Sequence, residues 1–214
     1  MNFVTRDYLS SFDTKEEEGV GIIEGRPVVF DERTDLGYFD EIIARTALDK
    51  CDLRDVRLCL NHDTSYVYAR SRNNNENSTM QIGTDDRGLY FRAKLDIANS
   101  PKAQDYYSAV KRGDMDKMSF MFAISDEEWS DLESDHPTRT IRGIERIVEI
   151  SAVTFPAYDG TSISARYKES LESDIHALES AKADYKTALD SAKRSSDDDL
   201  ELAKAKFYAL LKVR

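Results

Sequence analysis

The stretch "IRGIERIVEISAVTF" at residues 141–155 decides how this chain reads. In a strand, successive side chains point to opposite faces. That parity puts Ile147, Glu149, Ser151, Val153 and Phe155 on one face, and Val148, Ile150, Ala152 and Thr154 on the other. Both faces are largely apolar, the pattern of a strand covered on both sides. Glu149 is out of place there. A carboxylate taken out of water without compensation costs several kcal/mol, so it needs a partner. An imidazole is one solution, because a carboxylate on one ring nitrogen leaves the other free to accept a proton. Arg139, Arg142 and Arg146 offer the other, a plain buried ion pair.

Working upstream, "KMSFMF" (117–122) sets one serine among two phenylalanines and two methionines. Ser119 is either a small core residue or a nucleophile held on a rigid strand between apolar walls. The chain has three histidines from which a base could come. His136, in the acidic "ESDHPT", reads as a solvated surface residue, and His176 as a face residue among charges. His62 differs, since it follows the apolar "VRLCLN" (56–61) where a strand meets a loop. An imidazole's ordinary pKa of about 6.5 suits proton transfer near neutral pH. Its plain alternative is a strand-end histidine satisfied by Asp63 or by backbone. Of the two cysteines, Cys59 stands three residues before His62, and strand parity would turn the two side chains to opposite faces, so a cysteine enzyme is set aside.

Several chemistries find no support in the sequence. There is no G-x-S-x-G elbow and no G-D-S-G, which argues against α/β-hydrolase and chymotrypsin-type sites. Without H-E-x-x-H or a Cys/His cluster at ligand spacing, no metal site is expected, and without a Gly-rich phosphate loop no cofactor. A net charge of −11 argues against nucleic acid as a partner. No apolar run approaches the roughly 20 residues that span a bilayer. The N-terminal stretch lacks a basic region followed by an apolar block, so no secretory signal is expected, and the cysteines read as reduced thiols in a cytoplasmic setting.

The rest of the chain reads as short strands separated by turn residues: "GVGIIEGRPVVF" (19–30), "YFDEIIA" (38–44), "SYVYARS" (65–71), "TMQIGT" (79–84) and "LYFRAKLDI" (89–97). "DDRG" (85–88) predicts a tight hairpin turn, with Gly88 free to take a positive φ. A helix is predicted between an N-cap at Ser100, with Pro101 in its first turn, and a close at Gly113. Ala103, Tyr106, Tyr107 and Val110 form its apolar face. "SDEEWSDLESDHPTR" (125–139) reads as an acidic loop. The expected class is mostly β with helices (α+β): a small antiparallel barrel or sandwich plus a C-terminal helical tail. Residues 1–18 read as a flexible arm, 19–165 as the main domain and 166–214 as the tail. In that tail Leu171, Leu178, Tyr185 and Ala192 recur every seven residues, with Ile175 and Leu189 at companion positions and Lys182 breaking the series. A helical hairpin or a partner-binding scaffold tail both fit.

Taken in order, "LNHD" (60–63), "VKRGDMDKMSFMF" (110–122) and "RIVEISAVTFPAY" (146–158) resemble the prohead proteases of tailed bacteriophages, capsid-maturation serine proteases related in fold to herpesvirus assemblin. "GIIEGRPVVFDERTDLGYFDEII" (21–43) and "TDDRGLYFRAKLD" (84–96) support the likeness. The resemblance implies a compact β-barrel surrounded by helices. It matches Ser119 to the nucleophile, His62 to the base and Glu149 to the third, orienting member. It further implies cleavage of the scaffolding segment of the major capsid protein inside the immature capsid in the host cytoplasm, with self-cleavage and self-association through the C-terminal helices. A departure is "SFMF", where an "SFGF"-like run is expected. Arg139, Arg142 or a backbone amide would meet the oxyanion. The competing reading is a non-enzymatic scaffold that keeps the fold and acts through its tail.

Overall fold

In the computed structural model the described residues are 3–9, 12–154 and 170–191. The chain divides into two compact units, Met1–Ser173 and Asp174–Arg214. The described residues of the second unit, 174–191, are helical, continuing a helix that begins at residue 170 and is called α2 here. On α2, Leu178 is buried while Tyr185 is exposed, and Ala192 lies outside the described residues.

The first unit is built on two long strands, β10 (Lys117–Ser130) and β11 (Thr138–Val153), paired antiparallel. β1 (Val4–Leu9) adds to the free edge of β10. The opposite edge of β11 carries two strands in series, both parallel to it. β5 (Asp40–Ile43) lies along the start of β11, and β6 (Arg57–Leu60) along its end. Between them the chain makes a 3-10 turn at Arg45–Leu48 and a single bridge from Asp52 to Arg146. β4 (Arg33–Asp35) and β7 (Ala69–Arg70) complete this seven-stranded sheet. The second sheet has four strands in the order β2 (Asp13–Glu17), β3 (Val20–Val29), β9 (Gly88–Asp96), β8 (Met80–Asp85).

The class is mostly β with two helices, as expected, but the described strands form two sheets rather than a closed antiparallel barrel. β6 carries the first sheet on to β7, whose Arg70 carbonyl accepts the Thr79 N–H at 3.1 Å, a contact that does not extend into a ladder with β8. Three local expectations also change. β1 and β2 fall in the stretch that polarity reads as an arm. β1 buries Val4, Thr5 and Arg6, and the Arg6 guanidinium forks onto Glu41, 35 residues away in sequence. The acidic run after Ile124 is strand up to Ser130, because Arg139 pairs with Glu127 and Arg142 with Glu128 across the ladder. Of residues 65–71 only Ala69 and Arg70 are strand.

Local signals elsewhere hold. In α1 (Pro101–Arg112) the Ser100 side chain accepts from the Ala103 N–H, and Gly113 closes the helix at φ 78°. Its buried face is Ala103, Tyr106, Tyr107 and Val110. Gly21 on β3 makes room for it, since a Cβ there would meet the Tyr107 ring at 2.7 Å. Gly88 closes the β8–β9 hairpin at φ 145°, where a Cβ would lie 2.0 Å from the Val28 carbonyl oxygen. Met118, Phe120 and Phe122 of β10 are fully buried, with the two phenylalanine rings stacked at 4.5 Å. Burial of each such side chain contributes about 1.5–3 kcal/mol, which makes β10 a rigid support.

Candidate active site

Three segments distant in sequence meet at the β6 end of β11. Register sets two of them: Ser119 pairs with Ser151, and Met121 with Glu149, so Ser119, Ser151 and Glu149 share one face of the sheet. The third arrives with β6, whose Cys59 lies opposite Ser151 and whose Leu60 leads into a turn. In that turn Asn61 and His62 both take positive φ, 48° and 58°, and the Asp63 N–H returns to the Leu60 carbonyl at 2.9 Å. Two successive left-handed residues are what a type I′ turn requires, and asparagine and histidine tolerate the region better than most. The strain is held from several sides. The Asn61 N–H donates to the Ala152 carbonyl at 2.9 Å, the Asn61 side chain accepts the Thr154 N–H at 2.9 Å, and the His62 N–H donates to Ser151 Oγ at 3.0 Å.

The turn aims the imidazole back over β11. His62 Nδ1 lies 2.6 Å from Glu149 Oε2, and His62 Nε2 lies 2.7 Å from Ser119 Oγ. A carboxylate only accepts, so Nδ1 carries the proton and Nε2 of the neutral ring is left to accept from the serine hydroxyl. Glu149 Oε1 is bound as well, accepting from the Ser151 hydroxyl. Ser119 and Ser151 are fully buried, Glu149 is 1 % exposed, and the His62 side chain is the group that reaches the surface, at 12 %. A hydroxyl, an imidazole and a carboxylate are thus joined by hydrogen bonds in a dry setting, where each interaction is stronger than in water. Beside the turn lies a cavity of about 570 Å³, walled by Asn61 and Asp63 of the turn and by Tyr66, Tyr68 and Tyr106.

Each sequence-derived residue can now be located. The structure brings Ser119, His62 and Glu149 together, and the partner of Glu149 is the imidazole rather than an arginine. Arg139 pairs with Glu41 and Glu127, Arg142 with Asp126 and Glu128, and Arg146 with Asp52. Both Arg139 and Arg142 are thus held by carboxylates, and Arg139 stands opposite Trp129, ten residues along β10 from Ser119, so neither is placed to meet an oxyanion there. Asp63 accepts from the Ser65 N–H at 3.0 Å. The parity argument about Cys59 does not apply, because His62 sits in a turn and not on the strand. Cys59 is nevertheless fully buried, and the His62 ring nitrogens are turned to Ser119 and Glu149. Burial also pushes the Cys51 thiol up to about 12, which makes it a poor nucleophile.

Ser151 had a predicted face but no predicted role; its two-residue offset from Glu149 was the available signal. Elsewhere, His136 is not merely solvated: its Nε2 lies 3.2 Å from Asp40 and 3.4 Å from Asp35. Those three groups converge at the surface as a metal site would, but the Arg33 guanidinium already sits 2.6 Å from Asp40 and disfavours a second cation.

A hydroxyl, an imidazole and a carboxylate hydrogen-bonded in this series are the arrangement that Ser-His-acid hydrolysis requires. The sequence profile of the caudovirus prohead serine protease family matches residues 10–174, and the chain belongs to that family. It is 30 % identical over 84 residues to the prohead protease of Enterobacteria phage HK97, an alignment covering 39 % of this chain and 36 % of that relative. The chain thus matches little more than a third of that relative's length. No solved structure matches.

Proposed function

We propose that this chain is a serine endopeptidase that cleaves the scaffolding segment of the major capsid protein, and itself, during prohead maturation in the host cytoplasm. Ser119 is the nucleophile, His62 the general base and then the general acid, and Glu149 the residue that orients the ring. The observation that carries this reading is the continuous path from Ser119 Oγ through both His62 nitrogens to Glu149, at 2.7 and 2.6 Å, in a chain of a protease family.

In the acylation step Ser119 Oγ bonds to the scissile carbonyl carbon as its proton passes to His62 Nε2. The imidazolium then delivers that proton to the leaving amine as the C–N bond breaks. A water molecule, deprotonated by the same nitrogen, then bonds to the acyl carbon; the ester bond to Ser119 breaks as His62 Nε2 returns that proton to Oγ, releasing the carboxylic acid product. Glu149 keeps the Nδ1 proton in place and stabilises the imidazolium. Of the three oxyanion candidates weighed from sequence, a backbone amide is the one left near Ser119. The tyrosine-walled cavity beside the His62 turn is where a substrate side chain would seat. Self-association through the C-terminal helices accompanies this reading as a means of recruitment into the assembling shell.

The decisive test is Ser119→Ala, co-expressed with the capsid protein and followed by mass spectrometry of both chains. Loss of one nucleophile in a triad removes about 10⁶ in kcat, so processing should stop while the fold persists. Normal processing by Ser119→Ala would instead favour a scaffold that keeps the fold without the chemistry.

A further inference from the structure

We propose that Ser151 is the positioning residue of this site, the hydroxyl through which β11 sets both the carboxylate and the backbone of the base. The inference rests on the protease reading above and concerns a residue that contacts neither substrate nor the transferred proton. Ser151 is fully buried at the centre of the sheet, opposite Ser119 on one side and Cys59 on the other. It thus stands between the strand of the nucleophile and the strand that leads to the base.

Its hydroxyl is used in both directions. It donates its proton to Glu149 Oε1 and accepts the His62 N–H at 3.0 Å. Glu149 is thereby bound through both oxygens, Oε1 to Ser151 and Oε2 to His62 Nδ1, so its carboxylate has no free rotation about the last bond. The second contact acts on a strained element, since the His62 N–H belongs to a residue at φ 58° following one at φ 48°. Without an acceptor for that N–H, a turn held in a sparsely populated region gains freedom to relax. One hydroxyl therefore holds the ring at both its backbone and its Nδ1 partner. A buried serine kept only for its small size would make neither contact.

The experiment compares the full-length chain with Ser151→Ala and Ser151→Thr. The readouts are the rate of fluorophosphonate labelling at Ser119, kcat and KM on a capsid-derived peptide, the low-field proton resonance of the imidazole Nδ1–H, and the melting temperature. By analogy with outer partners that orient catalytic ligands, Ser151→Ala should lower kcat and the labelling rate by about 10–100-fold with KM little changed, and should broaden or abolish the low-field resonance. Ser151→Thr, which keeps the hydroxyl on a strand that favours β-branching, should retain most of both. Wild-type rates and resonance in Ser151→Ala would overturn the assignment. So would equal losses in both variants that track a fall in melting temperature. A wild-type chain that neither labels at Ser119 nor cleaves would overturn the protease reading itself, a result distinct from an effect confined to position 151.

Discussion

The β10–β11 hairpin buries a carboxylate at each end, and the two ends differ in what answers it. At the β6 end Glu149 meets an imidazole and a hydroxyl. At the β5 end Glu41, fully buried, meets the fork of Arg6, with Nε at 2.5 Å and Nη2 at 2.8 Å, and Arg139 at 3.5 Å. Arg139 is further held by Glu127 and lies against the Trp129 ring, and Arg6 lies over Phe122. A guanidinium stays charged at any relevant pH, so the Glu41 cluster can hold charge but cannot pass a proton. An imidazole can do both. The same architectural problem, a carboxylate inside a sheet, is thus solved once as a fixed clamp and once as a proton path.

If this distinction is sound, mutations at the two ends should separate activity from stability. Glu149→Gln should have the largest effect, lowering kcat by about 10⁴-fold through loss of the charge that fixes and stabilises the ring, with circular dichroism unchanged. Retained cleavage would mean that the ring is oriented by other groups. Glu41→Ala should act the other way. Leaving Arg6 and Arg139 without their buried anion costs about 3–5 kcal/mol of folding free energy, read by chemical denaturation. The labelling rate of Ser119 per folded molecule should stay at its wild-type value; a collapse of that rate would join the two ends into one network. The smallest effect belongs to Arg142→Ala, at the exposed rim of the Glu41 end. Its pairs with Asp126 and Glu128 lie largely in solvent and should contribute within about 1 kcal/mol.

What was legible in advance depended on whether the cause was local. The α1 caps at Ser100 and Gly113, its four buried residues and the Asp85–Gly88 turn are set within a few residues of themselves, and they stand where the sequence puts them. Strand parity also identified Glu149 as a buried carboxylate in need of a partner. The misreadings share another cause. Residues 4–9 and 125–130 look too polar for strands until Arg6 finds Glu41, and until Arg139 and Arg142 find Glu127, Asp126 and Glu128. Each of those pairs spans 12 to 35 residues of sequence. Polarity read along the chain cannot anticipate charge cancelled across it.

From the sequence alone came the β-rich class, the helix α1, the hairpin, and the shortlist of Ser119, His62 and Glu149. Tertiary structure alone decided that β5 and β6 share one edge of β11, that the sheets stay open, and that Ser151 joins the carboxylate to the turn. The reason is physical. Propensity and periodicity act over a few residues, whereas register between distant strands is chosen by how the whole core packs, and hydrogen bonds only 2.6–2.7 Å long tolerate no other register.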